Sequence, residues 1–349
     1  MLALPPRPDL DQLRTLAKEL VRAAKAGEPP AVERLRAVSA PMRLAGAQLA
    51  IAREYGFPSW AQLKRDVERR EILDARDVDR LRAILAEEPD LSWTTMEHWG
   101  DHPKGASPLG YVAMLRYDTA RGKWRDIDRT APVARALIDA GAPVNGRPGD
   151  PETPLITAAS YGDPDVARVL IEAGADIDAR ASDDAGGVPG GTALLHAAVF
   201  GMTAVVDVLI AAGAVVHGIE EAAAAGDVTD WLVEGTPPDA RVRALVMAAQ
   251  HQRLDVIDRL IAARVSVDAT DPAFGGHPLR TAASDGRPAS VRRLLDHGAD
   301  PDLRDPETGL TPLELCRTSR AEGNDTSGHA EVEAILAPVN GSGAPPAPA

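Results

Sequence analysis

The stretch TPLITAASYGDPDVARVLIEAGADIDA, residues 153–179, decides how the rest of the chain is interpreted. It predicts a turn, a short helix over 154–161, a break at Gly162-Asp163-Pro164 and a second helix over 165–173. Each helix is only about two turns long, which is too short to be stable in water unless it packs against neighbours. The segment therefore predicts that similar copies stand beside it.

Four Ala-Ala pairs bring such copies into register, at 158–159, 197–198, 248–249 and 282–283. With these pairs aligned, Leu155 matches Leu194, Leu245 and Leu279. The successive offsets are 39, 51 and 34 residues. They indicate a unit of about 33 residues that is lengthened by an insertion in one place and interrupted by a degenerate copy in another.

The phased copies resemble the ankyrin repeat family. The resemblance is carried by Thr153-Pro154-Leu155, Thr311-Pro312-Leu313, Leu195-His196-Ala197-Ala198 and the Gly-Ala-Asp runs at 174–176 and 298–300. It implies an all-α fold, an ankyrin-repeat solenoid of helix-turn-helix repeats with short β-like fingers. We expect about six full repeats plus partial end copies, each contacting only its neighbours. The resemblance also implies that the His196 ring hydrogen-bonds between repeats.

The first 70 residues lack this repeat and predict a small helical domain. Apolar residues recur at helical spacing over 9–26, and Ser59 and Gln62 have the spacing of a helix N-cap box. The stretch AQLAIAREYGFPSWAQLK, residues 47–64, resembles the N-terminal helical region of bacterial ankyrin proteins. We therefore divide the chain into a helical domain over 1–70, an ankyrin repeat array over 71–338 and a disordered tail over 339–349.

Four places depart from the regular repeat. Repeat one is 13 residues longer between its two helices, in the segment YDTARGKWRDIDRT, residues 117–130. The finger ASDDAGGVPGG, residues 181–191, is 6 residues longer than its counterpart. The fourth copy is damaged, because Trp231-Leu232 arrives early and Pro237-Pro238 follows. The seventh copy carries polar residues over 317–320, which predicts a terminal cap that faces water.

Composition narrows the class of protein. Of 349 residues, 44% are hydrophobic but only 3% aromatic, which suits thin alanine-rich layers better than one large core. The single cysteine, Cys316, excludes an internal disulfide and is expected to be a buried small hydrophobe. No apolar run reaches the roughly 18 residues of a membrane span, and the first residues lack the apolar region of a signal peptide. These features predict a cytoplasmic protein without a membrane partner.

The net charge of -14 is unevenly distributed. Residues 1–70 carry 13 Lys and Arg against 8 Asp and Glu, whereas residues 71–349 carry 25 against 44. An acidic array argues against nucleic acid as its partner. The excess of basic residues in 1–70 is explained by helix faces exposed to solvent. The alternative is a docking surface for an acidic partner.

Candidate chemical motifs are incomplete. Gly186-Gly187 and Gly190-Gly191 lack the Lys-Ser/Thr of a phosphate loop, and His98 and His102 lack a third metal ligand. The carboxylate pairs Asp183-Asp184 and Glu220-Glu221 have no facing acid or base in the sequence. Hydrolase, kinase and zinc-protease signatures are absent from the sequence. We expect no enzyme activity, no catalytic residues, no cofactor and no metal site.

The remaining candidate is a surface. The family resemblance implies that partners bind at the finger tips and at the two residues after each Ala-Ala pair. These residues are Ser160, Tyr161, Val199, Phe200, Gln250, His251, Ser284 and Asp285, and Met114 and Leu115 stand at the matching place in repeat one. Tyr161 and Phe200 are candidate aromatic anchors, although both rings could merely cover the next helix.

The sequence thus predicts a monomeric, non-catalytic interaction module or scaffold for an unidentified protein partner. The alternative is a recruiting subunit of an enzymatic or nucleic-acid-directed regulator in which residues 1–70 carry the activity.

Overall fold

The computed structural model describes residues 9–96, 106–118, 122–272, 275–322 and 327–337. It divides into two compact units, Met1–Ala185 and Gly186–Ala349. The fold is helical and built from stacked helix pairs preceded by N-terminal helices, as predicted. His98, His102 and the tail over 339–349 lie outside the described residues.

The first unit begins with five helices and a single 3-10 turn. They are α1 (Leu10–Lys25), α2 (Pro29–Ala37), α3 (Leu44–Glu54), α4 (Trp60–Ala75), α5 (Val78–Glu87) and the turn Pro89–Ser92. The side chain of Asp9 accepts hydrogen bonds from the first turn of α1, and Ser59 Oγ accepts one from the Gln62 amide at 3.2 Å. Both bonds satisfy amides that a helix start leaves without a partner. The predicted cap at Ser59 is therefore confirmed.

A buried arginine ties helix α4 to the segment after α5. The Arg69 guanidinium is fully buried, pairs with Asp66 and donates to the carbonyls of Leu91 at 3.0 Å and Thr94 at 2.8 Å. A charge in this position is tolerated because a carboxylate and backbone carbonyls surround it. The buried Arg69 thus links α4 to the segment 91–94.

Two repeats complete the first unit. They comprise α6 (Pro108–Ala113), α7 (Thr130–Asp139), α8 (Pro154–Ser160) and α9 (Pro164–Glu172). The first helices α6 and α8 pack on each other, while α7 packs between α5 and α9. Thr153 caps α8 and Asp163 caps α9, and each helix has a proline at its start, where a missing amide costs nothing. Local sequence therefore sets both helix starts.

The insertion in repeat one folds as a two-stranded hairpin. Strand β1 (Tyr117–Asp118) pairs antiparallel with β2 (Lys123–Trp124), so that Tyr117 stands opposite Trp124. Gly122 just before β2 has a φ of +64°, a left-handed conformation that favours glycine. In the sequence, the hairpin stands between α6 and α7, the two helices of repeat one.

The second unit contains the remaining helices. They are α10 (Ala193–Val199), α11 (Thr203–Ala211), α12 (Ile219–Ala225), α13 (Pro238–Gln250), α14 (Leu254–Ala262), α15 (Pro278–Ser284), α16 (Pro288–Asp296), α17 (Pro312–Ala321) and α18 (Ser327–Leu336). Helix α13 packs on α15, and α15 on α17. The Ala-Ala pairs at 248–249 and 282–283 are fully buried in the shared core. Small side chains there let successive helices approach closely.

The fourth copy is reduced to one helix, α12, and residues 227–237 form turns in place of a second helix. Pro238 begins α13 six residues before the expected start of repeat five at Ala244, because proline is favoured at the first position of a helix. Arg253 Nε donates to the Ala224 carbonyl at 2.7 Å. Repeat five thus closes directly onto the single helix of the damaged copy.

The seventh copy consists of α17 and α18, and its polar residues on α17 partly contact the second helix of the same copy. Helix α18 packs on α16 and α17, and Glu333 on α18 pairs with Arg317 and Arg320 at 2.8 and 2.7 Å. Cys316 is buried as predicted, and its thiol donates to the His329 carbonyl at 3.4 Å. The polar residues of α17 therefore bind another helix instead of only facing water.

Candidate functional site

In repeat one, the residues after the first helix are buried. Met114 and Leu115 are only 4% and 3% exposed, although the sequence predicted that they contact a partner. The inserted hairpin folds back at this point, where Arg125 Nη2 donates to the Leu115 carbonyl at 2.7 Å. These two side chains pack in the interior, so we leave them out of the candidate surface.

In repeat two, the matching residues are half-buried. Ser160 ends α8 and donates its hydroxyl to the Ile156 carbonyl at 3.0 Å. Tyr161 follows directly, and its ring lies against the hairpin of repeat one. The structure therefore places Tyr161 next to two aromatic residues, Tyr117 and Trp124, that the repeat pattern does not predict.

Three aromatic rings form a cluster that we call the aromatic patch: Tyr117, Trp124 and Tyr161. Their ring centroids lie 4.9 Å apart for Tyr117 and Trp124, 5.7 Å for Tyr117 and Tyr161, and 6.1 Å for Trp124 and Tyr161. All three pairs are tilted, an arrangement that aromatic rings favour. Trp124 keeps 42% of its surface exposed. The patch is thus an ordered aromatic cluster that solvent can reach.

Charged residues fix the base of the hairpin. The Arg116 guanidinium lies 3.5 Å from a carboxylate oxygen of Asp163 and 3.8 Å from those of Asp165 and Asp126. Asp163 is fully buried and also accepts hydrogen bonds from the first amides of α9. Arg116 therefore links the hairpin to the start of the second helix in the next repeat. Because Tyr161 stands two residues before Asp163, the same ion pair keeps the hairpin beside the Tyr161 ring.

Burial raises the pKa of Tyr161, and the nearby carboxylate of Glu152 raises it further. The phenol of Tyr161 therefore stays protonated at neutral pH and remains a hydrogen-bond donor.

In the second unit, the matching position of repeat three is partly exposed. Val199 is half-buried, whereas Phe200 keeps 40% of its surface exposed. The ring centroid of Phe200 lies 6.1 Å from that of His196. Phe200 is thus a second exposed aromatic side chain, supported by a buried histidine on its own helix.

The matching positions of repeats five and six form hydrogen bonds within the protein. Gln250 Nε2 donates to Asp285 Oδ2 at 3.0 Å, and the Ser284 hydroxyl lies 3.1 Å from that of Ser319. His251 is 2% exposed, with Nε2 at 2.8 Å from the Ala198 carbonyl and Nδ1 at 2.9 Å from the Thr203 hydroxyl. We call Gln250, His251 and Asp285 the turn network.

The turn network joins repeats that are not consecutive in sequence. His251 follows the first helix of repeat five, while Ala198 and Thr203 belong to repeat three. Arg287 at the start of α16 likewise donates to the Gly201 carbonyl at 3.1 Å. The loss of the second helix from the fourth copy is therefore compensated by bonds across it.

Burial also shifts the pKa values of two members of the turn network. It lowers the pKa of His251 to about 4 and raises the pKa of Asp285. Both shifts reflect the cost of a charge away from water. His251 is buried and has structural partners, which leaves it little surface for a partner protein. Gln250 and Asp285 are half-buried, and their contact with a partner stays a prediction.

The buried ring of His196 hydrogen-bonds to the long finger. Its Nε2 lies 3.0 Å from the Val188 carbonyl, and burial lowers its pKa. Glycine is required at 191, because a side chain there would come within 2.9 Å of the same carbonyl. The glycine-rich stretch therefore serves the packing of His196.

The two carboxylate pairs also have local roles. Glu221 is buried and accepts a hydrogen bond from the His217 amide, and Glu220 pairs with Arg243 at 3.0 Å. The Asp184 carboxylate accepts the Ser182 hydroxyl at 2.6 Å. Within the part of the chain that the structure describes, His, Cys, Asp and Glu side chains form no group of three that could hold a metal ion.

Tyr117 and Trp124 are not among the residues predicted from the sequence. Aromatic residues that flank Arg121-Gly122-Lys123 at hairpin spacing are the signal that points to them. The repeat pattern assigns them no role, because both lie in the insertion.

Stacked pairs of short antiparallel helices, linked by turns and fingers, define a helical repeat protein. The chain belongs to the ankyrin repeat family, since the family model "Ankyrin repeats (3 copies)" matches residues 127–218 and 219–322. Among solved structures, it is similar to the human ASB11 ankyrin repeat domain, with 20% identity and a TM-score of 0.38 over 79% of this chain and 98% of that one.

Ankyrin repeats are in general protein-interaction modules, and the matched family is not an enzyme family. Across the described ranges, no helix combines the length and the apolar character needed to cross a membrane.

Proposed function

We propose that this chain is a non-catalytic scaffold that binds another protein through the surface of its repeats, with the aromatic patch as the main anchor. The observation that carries the proposal is the exposure of Trp124, 42%, within a cluster of three rings. Aromatic side chains that stay partly exposed in an ordered cluster are typical of residues that dominate interface energy. They contribute a large contact area at a low entropic cost.

The way the patch is built also supports the proposal. Two of its rings come from an insertion that the repeat does not need, and the third comes from the turn of the next repeat. Charged links of Arg116 hold the hairpin in place, so the rings are ordered before a partner arrives. A surface ordered in advance loses less entropy on binding. In the second unit, Phe200 is the corresponding candidate for a separate contact.

The test is affinity capture from a lysate of the source organism with the full chain as bait. Trp124→Ala and Tyr161→Ala should each reduce a captured protein at least about ten-fold, a loss typical of an interface hot spot. Trp93→Ala is the matched control, because Trp93 is a 37% exposed tryptophan of the same unit that lies outside the patch. Thermal unfolding of each variant shows whether the fold is kept.

Capture that is equal for the wild type and both patch variants would refute the patch as the anchor. Loss of capture in Phe200→Ala alone would move the contact to the second unit. Equal losses of capture and thermal stability would show that the rings act in packing.

A further inference from the structure

The faces of the patch rings can attract a positive charge. An aromatic ring carries negative potential over its face, and tryptophan gives the strongest attraction among the aromatic side chains. Trp124 is the most exposed ring of the patch, so part of its surface is free to receive a ligand. Arginine suits such a surface because its planar guanidinium stacks on aromatic rings.

The charge around the patch has the complementary sign. Residues 106–185 carry nine Lys and Arg against thirteen Asp and Glu, a net charge of -4. The carboxylate of Asp126, two residues after Trp124, is fully exposed. Glu152 lies near the Tyr161 ring. A cationic ligand that reaches the patch therefore enters a region of negative potential.

Two basic side chains at the hairpin base, Arg116 and Arg125, contribute little to this field because they are paired within the fold. Lys123 next to Trp124 opposes the field, but the region as a whole stays negative. Arg116 faces three aspartates, with Asp163 nearest at 3.5 Å. Arg125 donates to the Leu115 carbonyl at 2.7 Å and lies 3.9 Å from Asp118. Arg116 lies nearest to the buried Asp163, and the Asp126 carboxylate at 3.8 Å from Arg116 is fully exposed to solvent.

We propose that the aromatic patch binds an arginine-bearing segment of a partner protein, with a guanidinium stacked on Trp124 and steered by Asp126. This inference rests on the proposed function, since it names the chemistry of the partner at the same surface. On binding, the arginine side chain loses contacts with water and gains contacts with the Trp124 ring face and the nearby carboxylates.

The test uses the full chain and a defined probe, the fluorescein-labelled peptide Gly-Ser-Arg-Gly-Arg-Gly-Arg-Ser. Its matched control carries citrulline in place of each arginine, which keeps the shape and removes the charge. Fluorescence anisotropy gives the Kd at two salt concentrations. The indole N–H signal of Trp124, assigned by its loss in Trp124→Phe, reports where the peptide binds.

We expect the arginine peptide to bind, to shift the Trp124 signal and to weaken as salt rises, while the citrulline peptide binds at least about five-fold more weakly. Trp124→Ala should raise the Kd about two- to five-fold, the range for a cation on an exposed ring. Asp126→Asn should raise it by a similar factor. Trp93→Ala and Asp230→Asn, an equal charge change at an exposed residue of the second unit, should leave it unchanged.

Equal binding of the citrulline peptide, an unchanged Kd in Trp124→Ala, or an equal loss in Asp230→Asn would overturn the inference. So would binding of a single-stranded oligonucleotide that depends on Trp124. If capture of a partner depends on Trp124 while the arginine peptide fails, the proposed function stands and only the cationic partner is lost. If capture does not depend on the patch, the proposed function itself fails.

Discussion

The same place in the repeat has one role in repeat two of the first unit and another in repeats five and six of the second unit. In the first unit, the residue after the first helix of repeat two is Tyr161, which joins Trp124 in a cluster that solvent reaches. In the second unit, the matching residues His251 and Asp285 are held by hydrogen bonds inside the protein. The repeat therefore specifies where a side chain stands, and the neighbouring structure decides whether it is free for a partner.

The difference follows from what surrounds each position. Next to Tyr161, an inserted hairpin adds aromatic surface. Next to His251, a missing helix brings repeat three within hydrogen-bond distance of repeat five. The insertion thus adds aromatic surface beside Tyr161, and the missing helix lets His251 bond to repeat three.

The largest effect is expected from His251→Ala. The change leaves the Ala198 carbonyl and the Thr203 hydroxyl without the imidazole and opens a cavity in a buried site, so we expect the free energy of unfolding to fall by about 4 kcal/mol. Urea denaturation measures the loss, and hydrogen exchange should place it in α10, α11 and α13.

His217→Ala is the matched control, because the His217 side chain is exposed. It should change the free energy of unfolding by less than about 0.5 kcal/mol. A loss of similar size in both variants would contradict the structural role of His251 and return it to the candidate surface.

A second effect concerns pH. The pKa of His251 is about 4 in the folded chain and 6.5 when unperturbed, so the unfolded state binds the proton first as the pH falls. The contribution of His251 to stability is complete above pH 6.5 and is lost progressively towards pH 4, a change of about 3 kcal/mol.

His251→Gln isolates this term, because the amide does not titrate in that range. The stability difference between the wild type and His251→Gln should shrink as the pH falls from 6.5 to 4. Asp285, whose pKa is raised by burial, acts in the opposite direction and is common to both proteins, so it cancels from the difference. A difference that stays constant across this window would show that His251 is not protected from protonation.

Regular repeats were predictable because each helix start carries its own signal. Thr153, Thr192 and Thr311 each cap a helix whose first residues the sequence pattern located. The family resemblance also located Tyr161 and Phe200 as candidate surface residues, and the structure leaves both rings accessible.

The rest depended on contacts between distant residues. Met114 and Leu115 match Ser160 and Tyr161 in the repeat, yet the hairpin buries them. His251 bonds to a residue 53 positions away in the sequence, across a damaged copy. Alignment of repeats cannot foresee such contacts, because each arises where the repeat is broken.

The smallest effect on stability is expected from Trp124→Ala. Its ring is 42% exposed and touches two other rings, so its removal should lower the free energy of unfolding by about 1 kcal/mol, the usual value of an aromatic pair. Urea denaturation of the full chain measures this value next to that of His251→Ala. If the aromatic patch serves binding and the turn network serves stability, Trp124→Ala costs little stability while capture of a partner falls at least about ten-fold. A loss of stability as large as that of His251→Ala would mean that the aromatic patch, like the turn network, holds the fold together.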